Sequence, residues 1–236
     1  MLPTAIFFDL DDTIISYDAG AVPLWQEVCE AYCRQTGELP AQQVFETVIR
    51  VSKWYWSDQE RHRLGRLNLA RARRDVVTRA FQELGNNDFD GAYQIADAFS
   101  ARRNESIVIF PGAVETLAYL RQRGVRLALL TNGAAHVQNA KIERFHLRPY
   151  FETILVEGEV GFGKPDARIY RLALARLDLA PQAVWMVGDN LEWDVAGPQA
   201  LGIYGIWNDW RKKGLPENCG VTPDRIIHSI SELMID

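Results

Sequence analysis

Cysteine is scarce in this chain. Its 236 residues include three, Cys29, Cys33 and Cys219, an odd number in a chain too long to depend on cross-links, which points to a reducing compartment. Cys29 and Cys33 lie one helical turn apart, but His62, His136, His146 and His228 are scattered and supply no second half of a zinc set, so plain thiols are expected. No apolar run approaches the roughly 20 residues that a membrane helix needs. The opening MLPTAIFFDLDD has no basic region and meets Asp9, Asp11 and Asp12 before an apolar stretch could act as a signal, so a cytoplasmic protein with no membrane partner is expected. Positive charge is also lacking: 26 Lys and Arg face 31 Asp and Glu, a net charge of -5. That balance argues against a protein whose main business is coating nucleic acid. With 47% hydrophobic and 24% charged residues, the composition excludes collagen, coiled coil and wholesale disorder.

What is present is a recurring signature. Ala5 to Phe8 is a short, unbroken apolar run ending on an acidic cluster, as in a strand buried on both faces of a parallel sheet. Val125 to Leu130 ends at Thr131, Asn132 and Gly133, Thr153 to Val156 at Glu157, Val184 to Val187 at Gly188 and Asp189, and Ile203 to Trp207 at Asn208. Helical patterns fall between these runs at 134–145, 166–177 and 193–201. Another helix is expected from Pro111 to Gly124, with Val114, Leu117, Ala118 and Leu120 on one face. The alternation predicts βαβ units and an α/β, doubly wound parallel sheet.

The interval 15–105 breaks the rhythm. Val22, Trp25, Val28, Cys29 and Tyr32, then Leu64, Leu67 and Ala70, then Val76, Val77, Ala80, Phe81 and Leu84 recur at helical spacing, with no convincing buried strand. An all-helical insert after the first strand is expected, leaving 1–14 and 106–236 as the sheet domain. The insert holds 12 basic and 13 acidic residues against 14 and 18 elsewhere, so the acidity belongs mainly to the sheet domain.

In an open parallel sheet, ligands bind outside the carboxyl ends of the strands. Asp9, Asp11, Thr13, Thr131, Asn132 and Asp189 fall there, with Lys164 on a loop after the third run. Crowded carboxylates repel one another unless a cation is present, and oxygen-only ligands favour a hard ion; Mg²⁺ is the usual occupant when phosphate shares its coordination sphere. Thr131 and the amides of Asn132 and Gly133 can bind phosphate, and Lys164 can oppose charge developing in the transition state. An Asp can then attack phosphorus and form an aspartyl phosphate, with Asp11 placed to protonate the leaving alcohol and later to activate water.

FFDLDDT (Phe7 to Thr13), LLTNG (Leu129 to Gly133), GKPD (Gly163 to Asp166) and GDNLEWDVAG (Gly188 to Gly197) resemble the four signature motifs of the haloacid dehalogenase-like (HAD) hydrolase superfamily, in the family's order. The resemblance covers the sheet domain, implies a Rossmann-like core, and puts the helical insert in the place of a type 1 cap domain. It implies Asp9 as nucleophile, Asp11 as general acid/base, and Thr131 and Lys164 as stabilisers of the phosphate and the intermediate. Metal ligation would come from Asp9, Asp189 and the backbone carbonyl of Asp11. Thr13, Asn190 and Asp194 would be supporting residues, Asp194 either near the metal's water shell or holding Lys164. The position most often Gly in the first motif is Asp12 here.

The leading expectation is thus a Mg²⁺-dependent phosphatase acting on a small phosphorylated metabolite, a nucleotide or sugar phosphate, as a monomer or homodimer with no nucleic-acid partner. A phosphomutase shares these motifs and stays an alternative. A 2-haloacid dehalogenase is another, although Asp11 counts against it. A phosphonatase would need a Schiff-base lysine, and the insert's only lysine is Lys53. A non-catalytic phosphorylation switch would draw its acids from the first and third strands rather than the first and fourth. Six Arg and one His between Arg61 and Arg74 offer either a basic face for an anion or a solvated helix surface. Trp54, Tyr55 and Trp56 offer either a stacking platform or packing.

Overall fold

The run Ala5–Phe8 forms strand β1, and all four of its side chains are fully buried. This is a computed structural model, and it describes residues 2–234. After β1 come β2 (Ile15–Ser16), helices α1 (Ala21–Thr36), α2 (Ala41–Trp56), α3 (Gln59–Leu67), α4 (Leu69–Glu83) and α5 (Phe89–Ser106), and β3 (Val108–Ile109). The chain continues through α6 (Ala113–Gln122), β4 (Arg126–Thr131), α7 (Ala135–Arg144), β5 (Thr153–Val156), α8 (Glu157–Val160), α9 (Ala167–Leu177) and β6 (Val184–Gly188). A π-helical turn (Leu191–Ala196), α10 (Gly197–Gln199), β7 (Tyr204–Asn208) and β8 (Arg225–Ile227) follow.

Six strands form one parallel sheet in the order β5-β4-β1-β6-β7-β8. On one face Ala5, Phe7, Ala128, Leu130, Leu155 and Met186 pack with Ile169, Tyr170, Ala173 and Leu174 of α9. The alternate residues Ile6, Phe8, Leu127 and Leu129 point to the other face and are buried as well. Both faces are covered, so the apolar runs show no alternation. Each large side chain so buried contributes about 1.5–3 kcal/mol. The chain runs from β1 through β4 to β5 on one side and then crosses to β6 on the other. That reversal opens a crevice at the carboxyl end of β1.

Backbone contacts divide the molecule into two compact units: the chain up to Tyr17 with the chain from Val108 onward, and Asp18–Ile107. In the second unit, α1 buries Trp25, Val28, Cys29, Tyr32 and Cys33, an i, i+3, i+4 stripe that packs with Val44, Val48, Val76, Val77, Phe81 and Phe99. The Trp25 and Phe99 rings stack at 3.7 Å. Val22 and Leu64, expected on buried faces, are more than half exposed. Asp58, Asn68 and Asp88 cap α3, α4 and α5 through their side chains.

The aromatic and basic runs of this unit meet each other. The Arg61 and Arg79 guanidinium groups lie 4.0 and 3.7 Å from the Trp54 ring centroid. Tyr55 and Trp56 pack edge-on, and Trp56 meets His62 likewise. Gly65 sits against them so closely that a Cβ there would lie 2.8 Å from the Tyr55 ring. Arg63 pairs with Glu60 at 2.7 Å, Arg74 with Asp97 at 2.6 Å and Arg71 with Asp75 at 3.8 Å. Arg73 is buried and donates to Ser100 Oγ at 3.0 Å.

Several elements depart from expectation. β8 is a three-residue edge strand with Ile226 exposed, too short to announce itself. β2 and β3 pair antiparallel as two-residue strands at the ends of the insert, below the length at which periodicity can be read. α6 begins at Ala113 rather than Pro111, because Gly112 adopts a left-handed φ of 77°. The helix expected over 193–201 begins earlier, at Leu191, and its first part is π-helical.

Candidate active site

Asp9 follows β1, and its N–H donates to Val187 O of the adjacent β6 at 2.9 Å, so the residue stays in line with the sheet. Its carboxylate is buried, accepting from Lys164 Nζ at 2.6 Å on Oδ1 and from Thr13 Oγ1 at 3.3 Å on Oδ2. The Lys164 ammonium, 1% exposed, also donates to Asp194 Oδ1 at 2.6 Å. Asp194 accepts on Oδ2 from Asn190 N–H at 3.0 Å, and Asn190 Oδ1 accepts from the N–H groups of Glu192 and Trp193, both at 3.0 Å. Asn190 therefore caps the π-helical turn that swings Asp194 inward. A Cβ on Gly188 would fall 2.1 Å from Asp194 Cγ, so only glycine fits at the end of β6. Asp189, next along, has its carbonyl fixed by the Trp207 indole N–H at 2.8 Å.

One oxygen from each of Asp9, Asp189 and Asp194 lies within 4.8 Å of the others. Burial pushes the Asp9 carboxyl up to about 7; Lys164 opposes that rise and Asp194 adds to it. Burial, and then the Asp9 charge, raises Asp189 well above the carboxylate range. Burial alone would lower Lys164, but Asp194 and Asp9 outweigh it and hold the ammonium firmly charged. One ammonium for three converging carboxylates leaves excess negative charge in a confined place. The donor set is all oxygen and suits a hard divalent cation.

The turn beyond β1 separates Asp11 from that cluster. The N–H groups of Thr13, Ile14 and Ile15 all reach back to Leu10 O. Asp12 sits in the left-handed region at φ 59°, which is the physical reason for glycine at this position and a conformation that Asp tolerates. The Asp12 carboxylate accepts from Tyr17 N–H at 2.9 Å. The Asp11 side chain turns toward α7, where Lys141 Nζ donates to both of its oxygens at 2.8 Å and Gln138 Nε2 to Oδ2 at 2.9 Å. The carboxylate trio thus comprises Asp9, Asp189 and Asp194, and the Asp11 side chain is outside it.

Thr131 ends β4 with its hydroxyl accepting from Gln138 Nε2 at 2.5 Å. The Asn132 side chain grips the backbone of Lys164, donating to its carbonyl at 2.7 Å and accepting from its N–H at 2.8 Å. The Gly133 N–H, expected to face phosphate, instead donates to Glu157 Oε2 at 2.9 Å. Gln138, Lys141 and Glu157 belong to no motif. Glu157 ends an apolar run as the other site residues do, and Gln138 and Lys141 lie at i, i+3 on the helix after Thr131; those were the available signals.

The family model for haloacid dehalogenase-like hydrolases matches residues 3–202, and the chain belongs to that family. It is 37% identical over 164 residues to the phosphoserine phosphatase of Thermus thermophilus, covering 69% of this chain and 64% of that protein. It is 31% identical over 218 residues to the ribulose-1,5-bisphosphate 5-phosphatase of Halopiger xanaduensis, covering 88% of this chain and 85% of that one. The magnesium-bound HAD-hydrolase YfnB from Bacillus subtilis superposes with a TM-score of 0.74 over 99% of this chain and 97% of its own, a likeness of fold at 22% identity. Among the described residues, no helix is long and apolar enough to cross a membrane.

Proposed function

We propose that the chain is a phosphomonoester hydrolase that works through an aspartyl phosphate on Asp9, with Mg²⁺ as cofactor and a small phosphorylated metabolite as substrate. The observation that carries this reading is the Lys164 ammonium, 2.6 Å from both Asp9 and Asp194, with Asp189 in the same cluster. Relatives named as phosphatases, for phosphoserine and for ribulose-1,5-bisphosphate, support the same class of chemistry.

In this reading Lys164 holds Asp9 Oδ1 and favours its ionised form, leaving Oδ2 to attack phosphorus. The bond from phosphorus to the ester oxygen breaks, and Asp11, protonated at the start of this half, delivers its proton to the departing alkoxide and becomes the carboxylate that Lys141 and Gln138 hold. In the second half Asp11 takes a proton from water, whose oxygen attacks phosphorus, and the bond to Asp9 breaks to release phosphate. The Thr131 hydroxyl and the Asn132 N–H are the phosphate donors, since the Gly133 N–H faces Glu157. Asp9, Asp189 and Asp194 would hold Mg²⁺, through their side chains or through its water shell, together with the Asp11 carbonyl; when bound, the ion neutralises the cluster and draws charge from the phosphate oxygens.

Asp11 in a fixed hydrogen-bonded position is what ester hydrolysis needs and dehalogenation does not. Replacing Asp9 with Asn is expected to lower turnover of phosphomonoesters on the order of 10³-fold or more, with the far-UV circular dichroism spectrum retained. A folded D9N protein that still turned over at the wild-type rate would remove the nucleophile assignment.

A further inference from the structure

Two side chains on α7 outside every motif converge on two groups that have to act together. Gln138 and Lys141 stand three residues apart on one helix face, and both are buried. The Lys141 ammonium has three N–H bonds and three acceptors: Asp11 Oδ1 and Oδ2 at 2.8 Å each and Gln138 Oε1 at 2.9 Å. It also lies 4.0 Å from the Tyr17 ring centroid, so the positive end is enclosed on that side as well.

Gln138 does the linking. Its Nε2 carries two hydrogens and reaches two oxygens, Asp11 Oδ2 at 2.9 Å and Thr131 Oγ1 at 2.5 Å. A threonine hydroxyl is ordinarily free to rotate and can donate in several directions. Once its oxygen accepts from Gln138, its own hydrogen is turned away from the amide, toward whatever acceptor lies on the other side. The Asp11 carboxylate, gripped by an ammonium and an amide, is likewise held in one rotamer.

We propose that Gln138 and Lys141 are positioning residues that tie the acid/base carboxylate to the phosphate-binding hydroxyl. A phosphate held by Thr131 then has its leaving oxygen set at a fixed place relative to Asp11. The inference rests on the phosphomonoesterase reading above and adds to it a pair of residues that never touch the substrate. Their contribution falls on proton delivery to the leaving group. It is largest for an alkyl phosphate, whose alkoxide cannot depart without a proton, and smallest for p-nitrophenyl phosphate, whose phenolate can.

The test is the dependence of kcat/KM on leaving-group pKa, measured with a series of aryl and alkyl phosphates in the presence of Mg²⁺. Lys141→Met is expected to lose about 10²-fold more on alkyl phosphates than on p-nitrophenyl phosphate, steepening the slope, and Lys141→Arg to restore most of it. Gln138→Leu is expected to steepen the slope and raise KM across the series, because Thr131 loses its orientation too. Should Lys141→Met fail to fold by circular dichroism, the slope for Gln138→Leu decides. Folded variants that lose activity by one common factor for every leaving group, or lose none, overturn the positioning role while leaving the phosphatase reading intact. A wild-type protein that hydrolyses no phosphomonoester overturns both.

Discussion

Ion pairs on the helical unit's surface and the ion pairs at the end of the parallel sheet lie at very different depths. In the helical unit, Arg74 and Asp97 pair with side chains that are each more than two-fifths exposed, and Arg63 and Glu60 are more exposed still. Such pairs hold helix surfaces in solution and contribute about 0.2–1 kcal/mol each. In the sheet unit, Lys164 and Asp194 are both 1% exposed, and Asp9 and Lys141 are nearly as deep. Burying charges is costly and is rarely the cheapest way to stabilise a fold. What the contrast teaches is that the number of charges says little: Arg103 is just as deep in the helical unit but pairs with an exposed Asp18, whereas at the sheet charges of both signs are buried together.

The largest effect that would break this comparison is expected from Lys164→Met, which leaves Asp9 and Asp194 without their ammonium. Loss of one partner of a buried pair costs about 3–5 kcal/mol, and turnover should fall on the order of 10²-fold or more, read by denaturant unfolding and by initial rates. A stability loss no greater than that of a surface pair would erase the distinction between the units.

An intermediate effect is expected from pH and Mg²⁺ together. In the folded chain Asp9 is raised to about 7 by burial, against 3.8 for an ordinary aspartate. Between those values the native state keeps a proton that the unfolded state has released, so this residue's contribution to stability falls as pH rises through the window and stays at its lowest above it. A divalent cation favours the ionised cluster, and Mg²⁺ should raise Tm more at pH 8 than at pH 5. Equal gains at both pH values would place the cation somewhere else.

The smallest effect sharpens the other side of the comparison. In a double-mutant cycle on Arg74→Ala and Asp97→Ala, the coupling energy should be about 0.2–1 kcal/mol and shrink in high salt. A coupling of several kcal/mol would show that the helical unit also depends on its charges.

Five of the six sheet strands were legible because a strand buried on both faces needs an unbroken apolar run, and such a run stands out against the polar residues that end it. β8 lacked that contrast, with Ile226 turned to solvent and only three residues in the strand. Of the residues expected in the site, Asp9, Thr131 and Asp189 were legible because each directly follows or ends such a run, and Lys164 through the GKPD motif on the longer loop after β5. The union of Gln138 and Lys141 with Asp11 was not: the partners are 127 and 130 residues apart, and nothing local to α7 says that its inner face looks onto the turn after β1. The partner of the Gly133 N–H was not legible for a similar reason, since the acceptor that takes it, Glu157, lies beyond the neighbouring strand.

The position of β1 has a consequence for the life of the chain before it is complete. The strand is synthesised well before either of its sheet neighbours, as four fully apolar residues, because β4 starts at residue 126 and β6 at residue 184. Until β6 has been made, one edge of Ala5–Phe8 has no native partner to close it. Pairings of such long sequence separation form slowly and leave apolar strand edges open to other chains meanwhile. The segment that presents the proposed nucleophile is therefore among the last to acquire its finished surroundings, and an apolar strand edge stays open beside it in the meantime.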